Sequence, residues 1–227
     1  MEAKDLIIKL IAEKSVLKQD VFDNTLKNFE MFKEVLKECV EEIKDKFAES
    51  DERLDFYFKE KGLYEAEVKI AGDILIFYMH TNVFQFDKSH SLWRSGYLKD
   101  NEYNGFVGVI NVYNFLADSF KFGRKHDRGY LIARIFINRE DHFLVQGKRQ
   151  LGFLYNDFIN SQLDRPQTKS IVESAMLYTL DFDLYAPPYQ HQQEVSVQEI
   201  QAMSQNLNIV TGKRLGFRFS YDDDSIE

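Results

Sequence analysis

The chain has 227 residues, 44% hydrophobic and 15% aromatic, and this composition excludes an intrinsically disordered protein. The formal net charge of −8 disfavours non-specific binding of duplex nucleic acid, and the single cysteine, Cys39, excludes an intrachain disulfide and a cysteine-based zinc site. The N-terminus lacks the features of a secretory signal, and no run approaches the roughly 20 apolar residues that cross a bilayer, so we expect a cytoplasmic protein without membrane contact.

Two amphipathic helices are predicted at the N-terminus. The first covers residues 3–14, and the second covers residues 20–48 with Asp20 as its N-cap. Apolar side chains of the second helix recur every three or four positions, which favours packing on the chain's own sheet. Some of them also fit a heptad seam, so a homodimer through the long helix is the alternative. The seam residues are Phe29, Phe32, Leu36, Cys39 and Ile43.

The polar residues 50–52 either close the long helix or open a short one that ends at residue 60, and a β-hairpin is predicted after that. Residues 64–70 alternate between apolar and charged side chains, as in a half-exposed strand, and a turn at residues 71–73 leads to a more central strand at 74–80. Within the first strand, Glu67-Val68-Lys69 matches the Glu-x-Lys pattern of metal-dependent nucleases. The favoured interpretation is a strand face of alternating charge, because the segment that precedes it is predicted to be helical.

Residues 81–105 have the composition of a loop but contain several aromatic side chains, among them the single tryptophan. A long loop of this kind is expected to fold over another part of the chain, and long loops are often functional.

The centre of the chain, residues 104–148, is rich in β-forming residues. Residues 106–113 form the third predicted strand, and residues 114–122 continue it or form one helical turn. Residues 129–137 and 142–146 form a second hairpin. Leu131, Ala133, Ile135 and Ile137 are predicted to share one face of its first arm. Tyr130, Ile132, Arg134 and Phe136 share the other, and the single charge on that face indicates a partly open or ligand-facing surface.

The C-terminal third is predicted to be mainly helical. One helix covers residues 150–160, and a second begins at Ser170, which forms a capping box with Glu173, and ends near residue 180. An extended segment at residues 182–193 precedes a third helix at 196–207. A last strand is predicted at residues 213–220, followed by an acidic tail.

Charge is unevenly distributed, and residues 121–149 carry 8 basic and 3 acidic side chains. Together with the aromatic loop, this basic segment forms the candidate binding site, because guanidinium and aromatic groups can clamp a planar or anionic ligand. The alternative is structural: the tryptophan covers the core and the basic side chains remain solvated or pair with acidic helices. The candidate ligand-binding residues are Trp93, Arg94, Tyr97, Arg124, Lys125, His126 and Arg128.

Other kinds of site have weaker support. No two histidines have the spacing that places both on one helix face, although folding could gather His80, Asp87 and His90. No nucleophile elbow, dinucleotide-binding fingerprint or phosphate-binding loop is present, and Cys39 lies on the apolar stripe of the long helix. We therefore assign no catalytic or metal-binding residue, and the sequence leaves any cofactor unknown.

The predicted fold is α+β, with a mainly antiparallel sheet of about five strands, flanking helices and a long N-terminal amphipathic helix. Residues 1–60 form a helical segment that packs on the core, residues 61–160 the sheet core, and residues 161–227 the C-terminal helices, last strand and tail, as one domain overall. The element order over residues 20–160 is similar to that of PAS and GAF sensory domains, which cup small ligands against a curved antiparallel sheet. No functional residue is carried over from them.

Two classes of function follow from the sequence. The first is a non-catalytic domain that binds a small ligand, an anionic one in particular, or a protein partner. The second is a metal-dependent hydrolase or nuclease that uses the scattered histidines and carboxylates. The first is favoured, because no catalytic constellation is found.

Overall fold

A computed structural model describes residues 2–47, 51–184, 189 and 196–198 of the chain. Its N-terminal part is one continuous helix: α1 (Ala3–Leu10), a π-helical turn (Ile11–Ser15) and α2 (Val16–Phe47). The prediction of two separate helices is wrong, and Asp20 lies inside α2 rather than at an N-cap. The physical reason is that no glycine or proline occurs before Gly62, so nothing interrupts the helix.

Seven strands form one antiparallel sheet. They are β1 (Phe56–Glu60), β2 (Glu65–Ile70), β3 (Asp73–Met79), β4 (Phe84–Gln85), β5 (Phe106–Leu116), β6 (Tyr130–Ile137) and β7 (Phe143–Gly147). The order across the sheet is β1-β2-β3-β5-β6-β7, and β4 pairs with the beginning of β5. The α+β class, the antiparallel sheet and both predicted hairpins are confirmed, with two strands more than expected.

β1 is the longer of the two strands that the sequence did not predict. Its residues were assigned to the N-terminal helical segment. Phe56, Tyr57 and Phe58 are consecutive aromatic residues, so the alternation of a strand is hidden in the sequence. The pairing of β1 with β2 also corrects the prediction of a half-exposed strand, because Glu67 is only 4% exposed. The Tyr57 hydroxyl donates to Oε1 of Glu67 at 2.8 Å, and Lys61 forms an ion pair with the same carboxylate.

The main core lies between one face of this sheet and the helices α2 and α6 (Arg165–Leu180). Phe29, Phe32 and Leu36 of the predicted heptad seam are fully buried there, together with Cys39, so the seam packs on the chain's own sheet. Burial raises the pKa of the Cys39 thiol to about 11, so the thiol stays protonated and unreactive in the core.

A β-bulge changes which side chains of β6 face the core. The pairing with β5 skips one residue, since Val112 lies opposite Ala133 and Tyr113 lies opposite Leu131. Ile132 is therefore buried in the main core, and Leu131 is 39% exposed. The prediction that Leu131 and Ala133 share a face is wrong, because the bulge shifts the alternation by one residue.

Short helices connect the strands: α3 (Gly96–Asp100), α4 (Ala117–Lys121) and α5 (Gln150–Phe153). α5 is much shorter than the predicted helix at 150–160. α6 begins before Ser170, because Asp164 accepts a hydrogen bond from the Gln167 amide at 2.7 Å and Pro166 lies in the first turn. The helix predicted at 196–207, the strand at 213–220 and the tail lie wholly or almost wholly outside the described residues, as does most of the extended segment at 182–193.

None of the helices in the described part of the chain is long and apolar enough to cross a membrane.

Candidate functional site

A groove of about 770 Å³ lies on the face of the sheet that α2 and α6 leave open. Its floor is formed by side chains of β5, β6 and β7, and its wall by residues 84–92. The floor includes Val109, Asn111, Arg134, Phe136, Leu144 and Gln146. We call this cavity the sheet groove.

The strand register places three polar side chains in one row across the floor of the sheet groove. Asn111 of β5 lies opposite Arg134 of β6, and Arg134 lies opposite Gln146 of β7. Directly opposite residues project from the same face, with their Cβ atoms about 5 Å apart. The next row is apolar, because Val109, Phe136 and Leu144 are aligned in the same way.

Arg134 is the central member of the polar row. Its Nη2 donates to Oε1 of Gln146, and its guanidinium lies 5.4 Å from the centre of the Phe136 ring. No ion pair in the described part of the chain involves this guanidinium, whereas most other arginines there are paired with a carboxylate. Arg134 is exposed, so water solvates its charge, and its guanidinium is accessible to a ligand in the groove.

Asn111 is only 9% exposed, and the structure contains no hydrogen bond from its amide to any described residue. Amides in a folded chain are normally hydrogen-bonded to protein or to water. Because this amide lines the sheet groove, a molecule in the groove could supply the missing partner.

Two histidines line the sheet groove and present the same kind of group to it. Nδ1 of His80 accepts a hydrogen bond from the Asn82 amide at 3.0 Å, and Nδ1 of His90 accepts one from the Leu92 amide at 3.3 Å. A neutral imidazole whose Nδ1 is an acceptor carries its proton on Nε2. Both rings therefore keep an Nε2–H donor that these backbone contacts do not use.

Asp87 is the one carboxylate among the groove-lining residues, and it is engaged in a local turn. Its Oδ1 accepts from the Ser89 amide at 2.8 Å and from the Ser89 hydroxyl at 2.5 Å. These hydrogen bonds lower the pKa of Asp87 below its ordinary value. Asp87 therefore stays ionised, and its carboxylate stabilises a turn within the wall.

The wall of the sheet groove is built from aromatic rings. Phe86 lies 5.5 Å from Phe136 and 5.2 Å from His90, and Phe84 meets the His80 ring edge-on at 4.9 Å, with all distances between ring centres. Trp93 stabilises the backbone of this wall, because its Nε1 donates to the carbonyl oxygen of Asp87 at 2.8 Å.

The structure does not bring the two predicted binding loops together. Trp93, Arg94 and Tyr97 lie near the beginning of β5, where the Trp93 ring packs against Gly105. The basic segment follows the other end of β5, after α4. A strand of 11 residues spans roughly 35 Å at about 3.3 Å per residue, so one small ligand cannot contact both loops.

The individual side chains of the two loops have different surroundings. Arg124 is largely buried between Asp118 and Asp127, at 3.7 and 3.8 Å, whereas Lys125, His126 and Arg128 are exposed. The Tyr97 hydroxyl donates to Glu140 at 2.7 Å, and its ring stacks on His142. Burial, followed by the contact with Glu140, raises the pKa of Tyr97. None of the seven predicted residues lines the sheet groove.

Asn111 and Gln146 are groove residues that sequence reasoning did not select. Of the strand face predicted to be partly open, Arg134 and Phe136 line the groove, whereas Ile132 is buried in the main core and Tyr130 packs against that core. The position of Asn111 beside Arg134 could not be read from the sequence, because it depends on the register of two strands that are separated by α4 and the basic segment.

His80, Asp87 and His90, which folding could have gathered into a cluster, all line the sheet groove. Among the described residues, however, no group of three or more His, Cys, Asp or Glu side chains has a geometry that could hold a metal ion. The polar side chains of the nuclease-like triplet form contacts within the chain. Glu67 contacts Tyr57 and Lys61, and Lys69 pairs with Asp55 at 3.0 Å.

No protein-family model, curated protein or solved structure matches this chain. A function can therefore be inferred only from the geometry of the sheet groove. The similarity to PAS and GAF domains stays one of element order.

Proposed function

We propose that this chain is a non-catalytic domain that binds a small ligand in the sheet groove. The observation that carries the proposal is the combination, in one cavity of about 770 Å³, of an aromatic wall with polar groups that hydrogen bonds within the described residues leave unused. Ligand sites typically have volumes of about 300–1,000 Å³ and combine apolar walls with a few convergent polar groups.

The rest of the open face supports the same location. On the same face of the sheet, Glu67 and Lys69 already pair with Tyr57, Lys61 and Asp55 within the chain. In the groove, Asn111 and the two histidine Nε2–H groups are available to a ligand.

The test is a binding screen with the single tryptophan as reporter. Trp93 holds the backbone of the groove wall, so a molecule that enters the groove should change its emission and shift the amide NMR signals of Gly147 and Gly152. The screen uses a set of drug-sized aromatic and aliphatic compounds, acids and neutral molecules alike.

Two matched variants locate the binding. Gln146→Phe places a ring over the groove floor and should abolish binding, because Gln146 lines the cavity. Lys59→Phe adds the same ring to an exposed position of edge strand β1, outside the groove, and should leave binding unchanged. If no compound binds the unchanged protein, or if both variants bind equally well, the groove is not the binding site.

The competing metal-dependent hydrolase makes a different prediction for the same protein. It requires stoichiometric metal in the purified chain that is lost when His80 or His90 is changed to alanine. That result would contradict a non-catalytic domain.

A further inference from the structure

We propose that the ligand of the sheet groove is a planar aromatic carboxylate, an inference that rests on the ligand-binding function proposed above. Three features of the groove lead to it: an exposed guanidinium, an amide beside it without a hydrogen bond to a described residue, and an aromatic wall next to both.

The guanidinium of Arg134 accounts for the carboxylate. An arginine presents five N–H donors in a planar fork that fits the two oxygens of a carboxylate. The contact with Gln146 uses one of these donors, and the remaining donors have no described acidic partner. A carboxylate in the groove would accept hydrogen bonds from these exposed donors.

Asn111 provides a second contact to the same group. It lies opposite Arg134 in the strand register, so its amide and the guanidinium are neighbours on the groove floor. The Nδ2 of Asn111 has no hydrogen bond to a described residue and faces the groove, and two oxygens of one carboxylate can accept from Asn111 and Arg134.

The aromatic wall accounts for the planar part of the ligand. The Phe136 ring lies next to the guanidinium, and Phe86 lies next to Phe136. A ring bonded directly to a carboxylate held by Arg134 would therefore meet the faces or edges of these phenyl groups. Aromatic pairs of this kind are favourable at centroid distances of about 4.5–7 Å.

A single carboxylate fits the groove better than a phosphate does. Arg134 is the one arginine or lysine among the groove-lining residues, and Asp87 adds a negative charge to the rim. Phosphate sites typically use several cations or the amides of a glycine-rich loop that begins a helix. The sheet groove instead offers one permanent positive charge and several neutral donors.

The experiment compares acids with their uncharged amides: benzoate with benzamide, and naphthoate with naphthamide. Affinities are measured by calorimetry and by Trp93 emission. We expect the acids to bind about ten- to a hundredfold more tightly than the amides, because a charge-assisted hydrogen bond is stronger than a neutral one. The preference should fall as salt is added.

Three variants test the assignment. Arg134→Gln should remove the preference for the acids but keep the weaker binding of the amides. Asn111→Asp should also abolish the preference, because the new carboxylate repels the ligand and pairs with Arg134. Arg128→Gln removes the same charge from an exposed position in the basic segment and should change nothing. Circular dichroism confirms that each variant is folded.

The outcomes separate the two proposals. If acids and amides bind the unchanged protein equally, or if Arg134→Gln keeps the preference for acids, the ligand is not a carboxylate held by Arg134, although the groove still binds ligands. If neither member of any pair binds and the wider screen also finds nothing, the proposed function fails as well.

Discussion

Asn111 occupies a position in β5 where an apolar residue would stabilise the sheet. It has neighbouring strands on both sides and is only 9% exposed, and its amide has no hydrogen bond to the described residues. β-branched residues are favoured in central strands, and an amide without a hydrogen bond inside the chain adds little to stability. A residue that is unfavourable for the fold and yet lies at the groove floor is typical of a functional position.

Asn111→Val should therefore raise the free energy of unfolding by about 0.5–1.5 kcal/mol and at the same time weaken the binding of aromatic acids. Urea unfolding measures the first effect and calorimetry the second. Asn114 provides the control, because it is fully buried on the opposite, core-facing side of β5 and its amide also has no hydrogen bond partner. Asn114→Val should stabilise the protein without changing ligand affinity. A loss of stability in Asn111→Val would mean that the amide has a structural role.

At the residue scale, the sequence showed the charge of Arg134 but not the partners of the other candidates. Arg124 has the same side chain and was selected for the site, yet it is packed between two aspartates close to it in the chain. Whether an arginine is paired depends on the loop conformation around it, and composition does not reveal that conformation.

α2 is the element that joins the sheet into a stable unit. Phe32 is fully buried, and its ring centre lies 6.1 Å from that of Phe77 in β3. Gly108 of β5 lies against Thr25 of α2, where a larger residue would clash, so the helix and the strand approach closely.

Phe32→Ala should lower the free energy of unfolding by about 3–5 kcal/mol, because the cavity left in a packed core cannot fully collapse. Phe153→Ala is the matched control, since Phe153 is 76% exposed, and it should cost less than about 0.5 kcal/mol. Both values come from urea unfolding followed by circular dichroism. Similar costs for the two variants would show that the helix does not pack on the sheet as described.

Strands that are visible in the local sequence pattern were predicted, whereas features that depend on pairing between strands were not. The hairpins of β2 with β3 and of β6 with β7 consist of β-forming runs separated by clear turns, so the positions of their strands were predicted correctly. β1 has three aromatic residues in succession, and the bulge at Ile132 is a change of register that local alternation cannot show. The sheet groove depends on both the bulge and the register.

At the scale of the whole molecule, a homodimer through the long helix remains a prediction, and the structure restricts where it can form. The seam at Phe29, Phe32 and Leu36 is buried against the sheet, so it cannot pair with a second chain. α1 and the π-helical turn contain no buried residue in the described part of the chain. Their apolar stripe is exposed by 44–57% and consists of Leu6, Ile7, Leu10 and Ile11.

This stripe is complementary to itself when two copies pair in an antiparallel direction. In the alignment that sets Ile7 opposite Leu10 of the second copy, Leu6 lies opposite Ile11, and Lys4 lies opposite Glu13. Apolar side chains then meet along the seam, and opposite charges meet at both ends. The stripe is short, so we expect a weak dimer that dissociates on dilution, since stable interfaces bury about 800 Å² on each partner.

Sedimentation at a series of concentrations tests this prediction. The unchanged chain should form dimers at tens of micromolar, and the double variant Ile7→Asp with Leu10→Asp should stay monomeric, because it places charges in the apolar seam. Unfolding by urea should be the same for both chains, since these side chains are exposed. The charge-matched control is Lys14→Ala with Lys18→Ala, two exposed positions outside the stripe, which lowers the net charge by the same amount and should still dimerise. A monomer at every concentration would exclude a dimer through the long helix, because its remaining apolar seam is buried in the core.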